Sequence, residues 1–146
     1  MPQVRITEQE STDLEKTIRY ALRHRAETIT VIGATGRRMD HTAGNLGCFR
    51  KFGTKCNLRF IDDDGELLGV GRRMEFTTRR NELLSLIPLG RCSGVTTTGL
   101  RYGLWSAVLE LGVREGTSNR ATGSRVTVSV RRGTLLLYRL RKASGR

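Results

Sequence analysis

Residues 29–45 read ITVIGATGRRMDHTAGN, and this stretch decides how the first half of the chain folds. An apolar run rich in β-branched residues stops at Gly33, and a short loop of glycine, threonine and arginine follows it. The loop closes on one acid, Asp40, and one imidazole, His41, before a helix-like segment. A strand, a polar turn and a helix start in this order place backbone N–H groups and basic side chains where a phosphate can bind.

The loop matches neither of the two common nucleotide-binding loops. Residues 33–45 contain no G-x-x-x-x-G-K-[ST] and no G-x-G-x-x-G, so the stretch has to be interpreted on its own residues. Asp40 has a structural alternative, because an acid just before a helix that starts near Thr42 is a good N-cap. His41 is more often a packing or capping residue than a base, and Asn45 faces the cleft or ties the loop down.

The segments around this loop alternate between helix and strand. Thr12 and Glu15 have the spacing of a capping box, in which the threonine hydroxyl accepts an N–H of the first turn and the glutamate reaches back. We therefore expect a partial α/β, Rossmann-like unit over residues 1–62. Its periodicity predicts a helix over 12–25, a buried strand over 28–32, a helix over 42–52 ending at Gly53, and a strand over 57–61.

Beyond residue 62 the helical periodicity disappears, and short apolar runs alternate with Gly and Arg pairs. Residues 116–119 are predicted to form a turn, and residues 62–65 a solvated hairpin turn, since the spacing of a calcium loop is absent. The fold class is therefore α+β, with an antiparallel β-sandwich over residues 63–146 after the α/β unit. Seven strands are predicted, over residues 66–70, 74–77, 82–88 (ended by Pro88), 92–98, 105–109, 124–130 and 134–140.

The size of the chain and its cysteines narrow the class of protein. At 146 residues it suits one domain or two small ones with a real core. No apolar run approaches the roughly 20 residues of a membrane span, and no apolar signal core is present, so we expect a cytoplasmic protein without a membrane segment. The three cysteines form no C-x-x-C pair, which favours reduced thiols over a disulfide frame or a zinc site.

The formal net charge of +12 fits either a nucleic-acid-binding protein or a basic surface on a protein that handles a polyphosphate. The arginines come as scattered pairs at predicted turns and strand ends rather than as one stripe. Aromatic residues do not alternate with them, as they do on single-strand binding platforms. The pattern therefore disfavours nucleic acid as a partner.

Five short motifs, in one order along the chain, connect these observations to a known family. They are Thr12–Lys16 (TDLEK), the G-x-x-G-x-R-x-D-H…N stretch of residues 33–45, Ser85–Gly90, Gly94–Tyr102 and Gly116–Asn119. In this combination the chain resembles the thiamine pyrophosphokinases over nearly its whole length. The family moves a pyrophosphoryl group from ATP to thiamine and releases AMP. The resemblance thus implies a transferase that uses Mg²⁺ as cofactor and ATP as co-substrate.

The resemblance also implies roles for particular residues. Asp13 would hold magnesium near the phosphates, although an acid in the first turn of a helix is also a good structural residue. Arg38 would donate to the phosphates, and Asp40 would orient the aminopyrimidine or the attacking hydroxyl of thiamine. Arg37 stands where the family often has glycine. The implied sets are Asp13, Arg38 and Asp40 for catalysis; Gly33, Thr35, Gly36, Arg37 and Arg38 for ATP; Asp13 for the metal; and Gln9, Asp40, Thr117, Ser118 and Asn119 for thiamine.

Two further expectations from the resemblance concern the assembly and the extent of the chain. The family completes its thiamine pocket across a homodimer, so we expect a homodimer. Family members begin with another α/β portion that carries a G-D-x-D-S loop, and nothing of this kind precedes Gln9 here. We therefore expect a truncated chain with little or no activity alone. The alternatives are a non-catalytic remnant that binds thiamine or a nucleotide, and a basic nucleic-acid-binding protein.

Overall fold

The structure is a computed structural model, and it describes residues 11–141. Over this range the chain is mostly β, with two helices and nine strands. The elements are α1 Asp13–Arg23, β1 Thr28–Ile32, α2 Met39–Phe52, β2 Asn57–Ile61, β3 Gly65–Gly69, β4 Arg73–Thr77, β5 Leu83–Thr98, β6 Ala107–Leu109, β7 Gly116–Arg120, β8 Arg125–Ser129 and β9 Arg132–Leu140.

The first half forms a strand–helix–strand unit in which β1 and β2 pair in parallel and α2 connects them. Both strands have the predicted bounds. Helix α1 begins as predicted, since the Thr12 hydroxyl accepts the Glu15 N–H at 3.2 Å. The other half of the predicted capping box is wrong. The Glu15 carboxylate is buried and pairs with Lys51 of α2 at 2.5 Å, so it ties the two helices together rather than reaching back.

Strand β1 is less buried than its apolar sequence predicts. Among the described residues its one strand neighbour is β2, so it lies at the edge of the sheet. Its side chains alternate between half-buried and exposed, and Ile32 at its end is 81% exposed. The prediction of a buried strand is therefore wrong within residues 11–141, because one face packs on the helical core and the other does not.

The second half of the chain is antiparallel throughout and is arranged around β5. This strand of 16 residues pairs with β9 and β7 through its first part and with β6 and β8 through its second. Two strands, over residues 82–88 and 92–98, were predicted here because Pro88 was expected to end the first of them. Gly90 and Gly94 lie near the point where the two predicted strands join. Both glycines have positive φ and the pairing shifts register between Leu89 and Ser93, so the strand bulges and continues.

Pro88 therefore does not end the strand, and it pairs with Leu135 of β9. On the side of β5 away from β9, Pro88 lies between the segment that pairs with β7 and the segment that pairs with β6. No described residue pairs with β5 at this position on that side. A residue without an N–H is tolerated at such a place. Strand β7 is a second correction, since residues 116–119 were predicted as a turn. Gly116 and Asn119 pair instead with Leu86 and Leu84, and Arg120 at the end of β7 pairs with Leu83.

Strand β9 joins the two halves of the molecule. It pairs with β3 on one side and with β5 on the other, so one hydrogen-bonded path runs from β1 to β4. Successive leucines of β9 face opposite cores: Leu136 packs with the helices, whereas Leu135 and Leu137 pack with β5 and β8. The α+β class is confirmed at the level of a mostly β fold with two helices. The division at residues 62/63 stays a prediction.

All three cysteines are free, Cys48 and Cys92 are buried, and burial raises the pKa of Cys48 to about 11. In the part of the chain that the structure describes, neither helix has the length and apolarity needed to cross a bilayer.

Candidate functional site

The candidate site lies where the parallel strands β1 and β2 end side by side, with Ile32 opposite Ile61. Ligands of open sheets bind outside the carboxyl ends of parallel strands, because the loops and helix N-termini converge there. The loop of residues 33–38 leaves β1 at this edge and leads into α2. A cleft of about 280 Å³ opens beside it, lined by Ile32, Gly33, Thr35, Ile61, Asp62, Asp63 and Arg141.

The loop backbone is shaped for close approach by a ligand. Gly33 and Gly36 have φ of +76° and +93°, and no atom lies within 4 Å of the position that a Cβ would take at either residue. The glycines are thus required by the turn and leave its outer surface open. Arg37 is also left-handed, with φ of +49°, so a position that resembles a family glycine carries a side chain in a glycine-like conformation.

Side chains from both neighbouring elements hold this loop. From α2, the Asn45 amide donates to the Ala34 carbonyl at 2.9 Å, and the Thr42 hydroxyl accepts the Gly36 N–H at 3.2 Å. From the end of β2, the Asp62 carboxylate accepts the Thr35 hydroxyl at 3.2 Å. Asn45 therefore ties the loop down, which was one of the two roles expected of it.

Asp62 is a residue of the site that sequence reasoning missed, because its Asp-Asp-Asp-Gly context predicts a solvated turn. Its Oδ1 also accepts the Tyr138 hydroxyl at 2.8 Å, the Asp64 N–H and the Gly65 N–H. Burial pushes the pKa of Asp62 upward, but the hydrogen bonds outweigh burial and hold this pKa below its ordinary value. One signal was available, since Asp62 directly follows a strand that was predicted correctly.

Arg38 and Asp40 hold each other at the mouth of the loop. The Arg38 guanidinium donates from Nε to Oδ1 at 3.1 Å and from Nη2 to Oδ2 at 2.6 Å, although both side chains are more than 60% exposed. The hydrogen bond from Arg38 is the largest cause of the lowered pKa of Asp40. The N-cap alternative for Asp40 is wrong, because α2 starts earlier than predicted and Arg38 occupies the N-cap position. Asp40 and His41 lie in the first turn.

Asp13 lies in the first turn of α1 and is exposed. No hydrogen bond or ion pair of the described residues joins its carboxylate to Arg38 or Asp40. Within residues 11–141, no three His, Cys, Asp or Glu side chains are arranged to hold a metal ion. One exposed carboxylate does not fit a complete Mg²⁺ site, because this ion demands near-ideal octahedral oxygen ligation. The metal role of Asp13 stays a prediction.

Three of the five residues expected to contact thiamine, Thr117, Ser118 and Asn119, lie on β7 in the β-rich half. Thr117 and Ser118 are exposed, and Ser118 has φ of +58° and donates its N–H to the Ser85 hydroxyl at 3.0 Å. Asn119 is only 6% exposed. Its Oδ1 accepts the Tyr102 and Arg120 N–H groups, and its Nδ2 donates to the Tyr102 carbonyl at 2.8 Å. Its amide therefore holds the 101–104 loop in place.

The structure thus brings one group of predicted residues together and leaves the others apart. The first group forms one continuous surface over the loop after β1 and the first turn of α2, and the Thr35 hydroxyl joins it to Asp62. Its members are Gly33, Thr35, Gly36, Arg37, Arg38 and Asp40. Among the described residues, no hydrogen bond or ion pair connects this surface to Thr117, Ser118 or Asn119. Gln9 lies outside the described residues.

Taken together, these features define an α+β protein with a glycine-bordered strand–loop–helix site and an antiparallel β-rich half. Two family models match the sequence: the thiamin pyrophosphokinase catalytic domain over residues 1–60, and the thiamin pyrophosphokinase vitamin B1 binding domain over residues 73–135. The chain belongs to the thiamine pyrophosphokinase family, as its motifs predict.

Individual relatives agree with this family. The chain is 31% identical over 137 residues to the thiamine pyrophosphokinase of Bacillus subtilis. The matched region covers 90% of this chain and 64% of the relative. It is 34% identical over 134 residues to thiamine pyrophosphokinase 1 of Arabidopsis thaliana, covering 83% of this chain and 49% of the relative. The chain therefore spans between about half and just under two thirds of the length of these relatives.

Solved structures show the same fold. The crystal structure of the Bacillus subtilis thiamine pyrophosphokinase superposes with a TM-score of 0.82 at 27% identity, covering 94% of this chain and 66% of that one. The thiamin pyrophosphokinase of Geobacillus thermodenitrificans gives a TM-score of 0.81 at 26% identity, covering 94% and 65%.

Proposed function

We propose that this chain takes part in the transfer of pyrophosphate from ATP to thiamine, which yields thiamine diphosphate and AMP. In this reaction the thiamine hydroxyl oxygen bonds to the β-phosphorus of ATP, and the bond from that phosphorus to the oxygen shared with the α-phosphate breaks. The observation that carries the proposal is the open, glycine-bordered loop whose end presents the Arg38–Asp40 pair. Membership of the thiamine pyrophosphokinase family supports it.

In this proposal the ATP phosphates bind on the loop surface of residues 33–38. Gly33, Thr35 and Gly36 supply open backbone, and the start of α2 adds the positive end of a helix dipole. Arg38 has five N–H donors, and two of them point at Asp40, so three remain for phosphate oxygens. Arg37 is exposed beside it and supplies a second positive charge.

Asp40 is proposed to serve both substrates. By holding Arg38 it fixes the direction of the remaining guanidinium donors, and its lowered pKa keeps the carboxylate ionised. An ionised carboxylate can accept hydrogen bonds from the aminopyrimidine or from the attacking hydroxyl of thiamine. Gln9, Thr117 and Ser118 are the proposed further contacts to thiamine. Asn119 is proposed to act through the 101–104 loop, because its amide is already hydrogen-bonded.

The finer assignments of fold and cofactor belong to the same proposal. We assign nucleotide binding to the strand–helix–strand unit as a Rossmann-like unit, and thiamine binding to the antiparallel half as a β-sandwich. Mg²⁺ would accompany ATP and neutralise its phosphates, with Asp13 as the candidate protein ligand. The described residues do not complete a site for it, so no step is assigned to the metal.

A homodimer in the cytoplasm is the proposed assembly. Large apolar side chains flank the short strand β6 and are solvated in the single chain: Trp105 is 86% exposed and Val113 is 75% exposed. Tyr102 and Leu111 lie in the same two connections and are also exposed. Several large apolar side chains left exposed in neighbouring connections support a protein–protein interface here.

The test is to supply the purified 146-residue chain with MgATP and thiamine and to follow AMP and thiamine diphosphate by chromatography. We expect slow turnover from this chain alone, with both products formed in equal amounts, and Asp40→Asn should reduce that rate at least about a hundredfold. Asp64→Asn, which removes the same charge from an exposed turn, is the matched control. Thiamine binding without AMP release would favour the non-catalytic remnant, and an unchanged rate in Asp40→Asn would remove the role given to Asp40.

A further inference from the structure

Asp62 receives hydrogen bonds from three separate segments of the chain. One oxygen, Oδ2, accepts the Thr35 hydroxyl of the nucleotide loop at 3.2 Å. The other, Oδ1, accepts the Tyr138 hydroxyl of β9 at 2.8 Å and the N–H groups of Asp64 and Gly65 at 2.9 and 2.8 Å. Thr35 and Tyr138 lie 27 and 76 residues from Asp62 in sequence, so the carboxylate links segments that are far apart along the chain.

The two turn N–H groups and the tyrosine fix the carboxylate itself. Three donors converge on Oδ1 from two directions, which leaves the plane of the carboxylate little freedom to rotate. Its second oxygen is then presented in one direction, towards Thr35. Asp62 is partly buried, at the edge of the cleft that Gly33 and Thr35 also line.

The contact is directional at Thr35 as well. A threonine hydroxyl has one proton, and an ionised carboxylate can only accept, so the proton of Thr35 is committed to Asp62. The lone pairs of the hydroxyl oxygen are thereby left for a ligand in the cleft. On its other side the loop is held by Asn45 through the Ala34 carbonyl, so Ala34 and Thr35 are anchored to different elements.

We propose that Asp62 is a positioning residue, which holds the nucleotide loop through Thr35 and sets its place relative to β9 through Tyr138. The inference rests on the proposed function in one respect, because it takes the loop of residues 33–38 as the ATP site. Asp62 does not touch the phosphates in this proposal. It keeps Thr35 and the loop backbone where the phosphates need them, and Tyr138 makes that position depend on the β-rich half of the molecule.

The first test measures binding of MgATP and of thiamine to the 146-residue chain by calorimetry. In Asp62→Asn the amide nitrogen cannot accept the Thr35 proton and can only donate to the Thr35 hydroxyl oxygen, which occupies a lone pair otherwise left for the ligand. The dissociation constant for MgATP should therefore rise about tenfold while that for thiamine stays within about twofold. Tyr138→Phe removes the hydroxyl and nothing else, and should weaken MgATP binding about threefold. Asp64→Asn is the charge-matched control in the same turn, and its binding should equal that of the parent chain.

The second test does not depend on ATP. Amide hydrogen exchange of residues 33–38 should be faster in Asp62→Asn and in Thr35→Val, and should return towards the parent rate in Thr35→Ser, which restores the hydroxyl. A merely structural role for Asp62 would instead weaken both ligands equally and speed exchange in residues 33–38 no more than in the rest of the sheet. That result would overturn the inference.

The two tests separate failure of the inference from failure of the proposed function. If the parent chain binds no MgATP, the proposed function fails, and exchange that accelerates more in residues 33–38 than in the rest of the sheet still supports the role of Asp62. If the parent chain binds MgATP but Asp62→Asn and Tyr138→Phe bind it equally well, or exchange in the loop is unchanged, the inference is wrong and the proposed function stands.

Discussion

Arg38 and Asp40 are two residues apart and hold each other through two hydrogen bonds, so they act as a pair. The sequence assigns the arginine to ATP and the acid to thiamine, and nothing in their order shows that they meet. Their contact follows from local geometry: Arg38 takes the N-cap position of α2 with extended backbone, and Asp40 lies in the first turn. The side chain of the cap residue is therefore close to the acid that follows it.

Asp62 allows a prediction about acid stability. Its pKa is lower in the folded protein than in the unfolded chain, so the ionised carboxylate stabilises the fold. This stability is fully present above the unfolded pKa of about 3.9 and is lost as the pH falls through the folded value. At pH 7 we expect Asp62→Asn to lower the free energy of unfolding by about 1.5 kcal/mol, measured by urea denaturation.

The difference between Asp62→Asn and the parent chain should shrink as the pH falls below about 4, because the parent carboxylate then becomes protonated as well. Asp64→Asn serves as the control, because Asp64 is an exposed carboxylate of the same turn and Asp62, not Asp64, accepts the Thr35 hydroxyl. A difference that stayed constant from pH 7 to pH 2 would mean that the ionised form of Asp62 does not carry the effect.

At the scale of elements, the sequence is most informative where structure is local. Strands β1 and β2 have the predicted bounds because short β-branched runs end at polar turns. Strand β7 was missed because Gly-Thr-Ser-Asn has the composition of a turn, and only its pairing with β5 makes it a strand. The same limit applies to the site: the loop is visible in the sequence, whereas its contact with Asp62 joins segments that are distant along the chain.

Two glycines of the strand–loop–helix unit should respond oppositely to alanine. Gly36 has φ of +93° in the loop, so Gly36→Ala should lower the free energy of unfolding by about 1 kcal/mol through backbone strain, although its Cβ meets no atom. Gly44 lies inside α2 with open space around its Cβ position, so Gly44→Ala should raise the free energy of unfolding by about 0.5 to 1 kcal/mol.

Urea denaturation of both variants at pH 7 checks the prediction, and Gly44→Ala controls for the added methyl group. If Gly36→Ala were as stable as the parent chain, the left-handed conformation of the loop would be incorrect. A loss of stability in Gly44→Ala would contradict the open surface that α2 presents at this position.

At the scale of the whole molecule, β9 decides whether the chain behaves as one unit or two. Leu136 belongs to the core beneath the helices, and Leu137 belongs to the core between β5 and β8. Both are fully buried on a strand that pairs with β3 and β5 at once. We infer that the two cores unfold together, although the family models divide the sequence between residues 60 and 73.

Leu136→Ala and Leu137→Ala make a matched pair that tests this cooperativity. Each should lower the free energy of unfolding by about 3 kcal/mol, because each leaves a cavity in a close-packed core. Amide exchange read separately in α2 and in β8 should accelerate in both halves for both variants. If Leu137→Ala accelerated exchange in β8 and left α2 fully protected, the halves would unfold independently.

The three consecutive leucines at positions 135–137 carry a further consequence. A strand that is apolar on both faces does not fix its alignment by hydrophobicity alone, because a slip by one residue would still place leucine at two of the three positions. The next two residues fix the alignment. The Tyr138 hydroxyl donates to the Asp62 carboxylate, and the Arg139 guanidinium donates to the Glu82 carboxylate on the opposite face. Two adjacent polar side chains thus favour a single alignment of the strand, and one of them is also linked through Asp62 to the loop of residues 33–38.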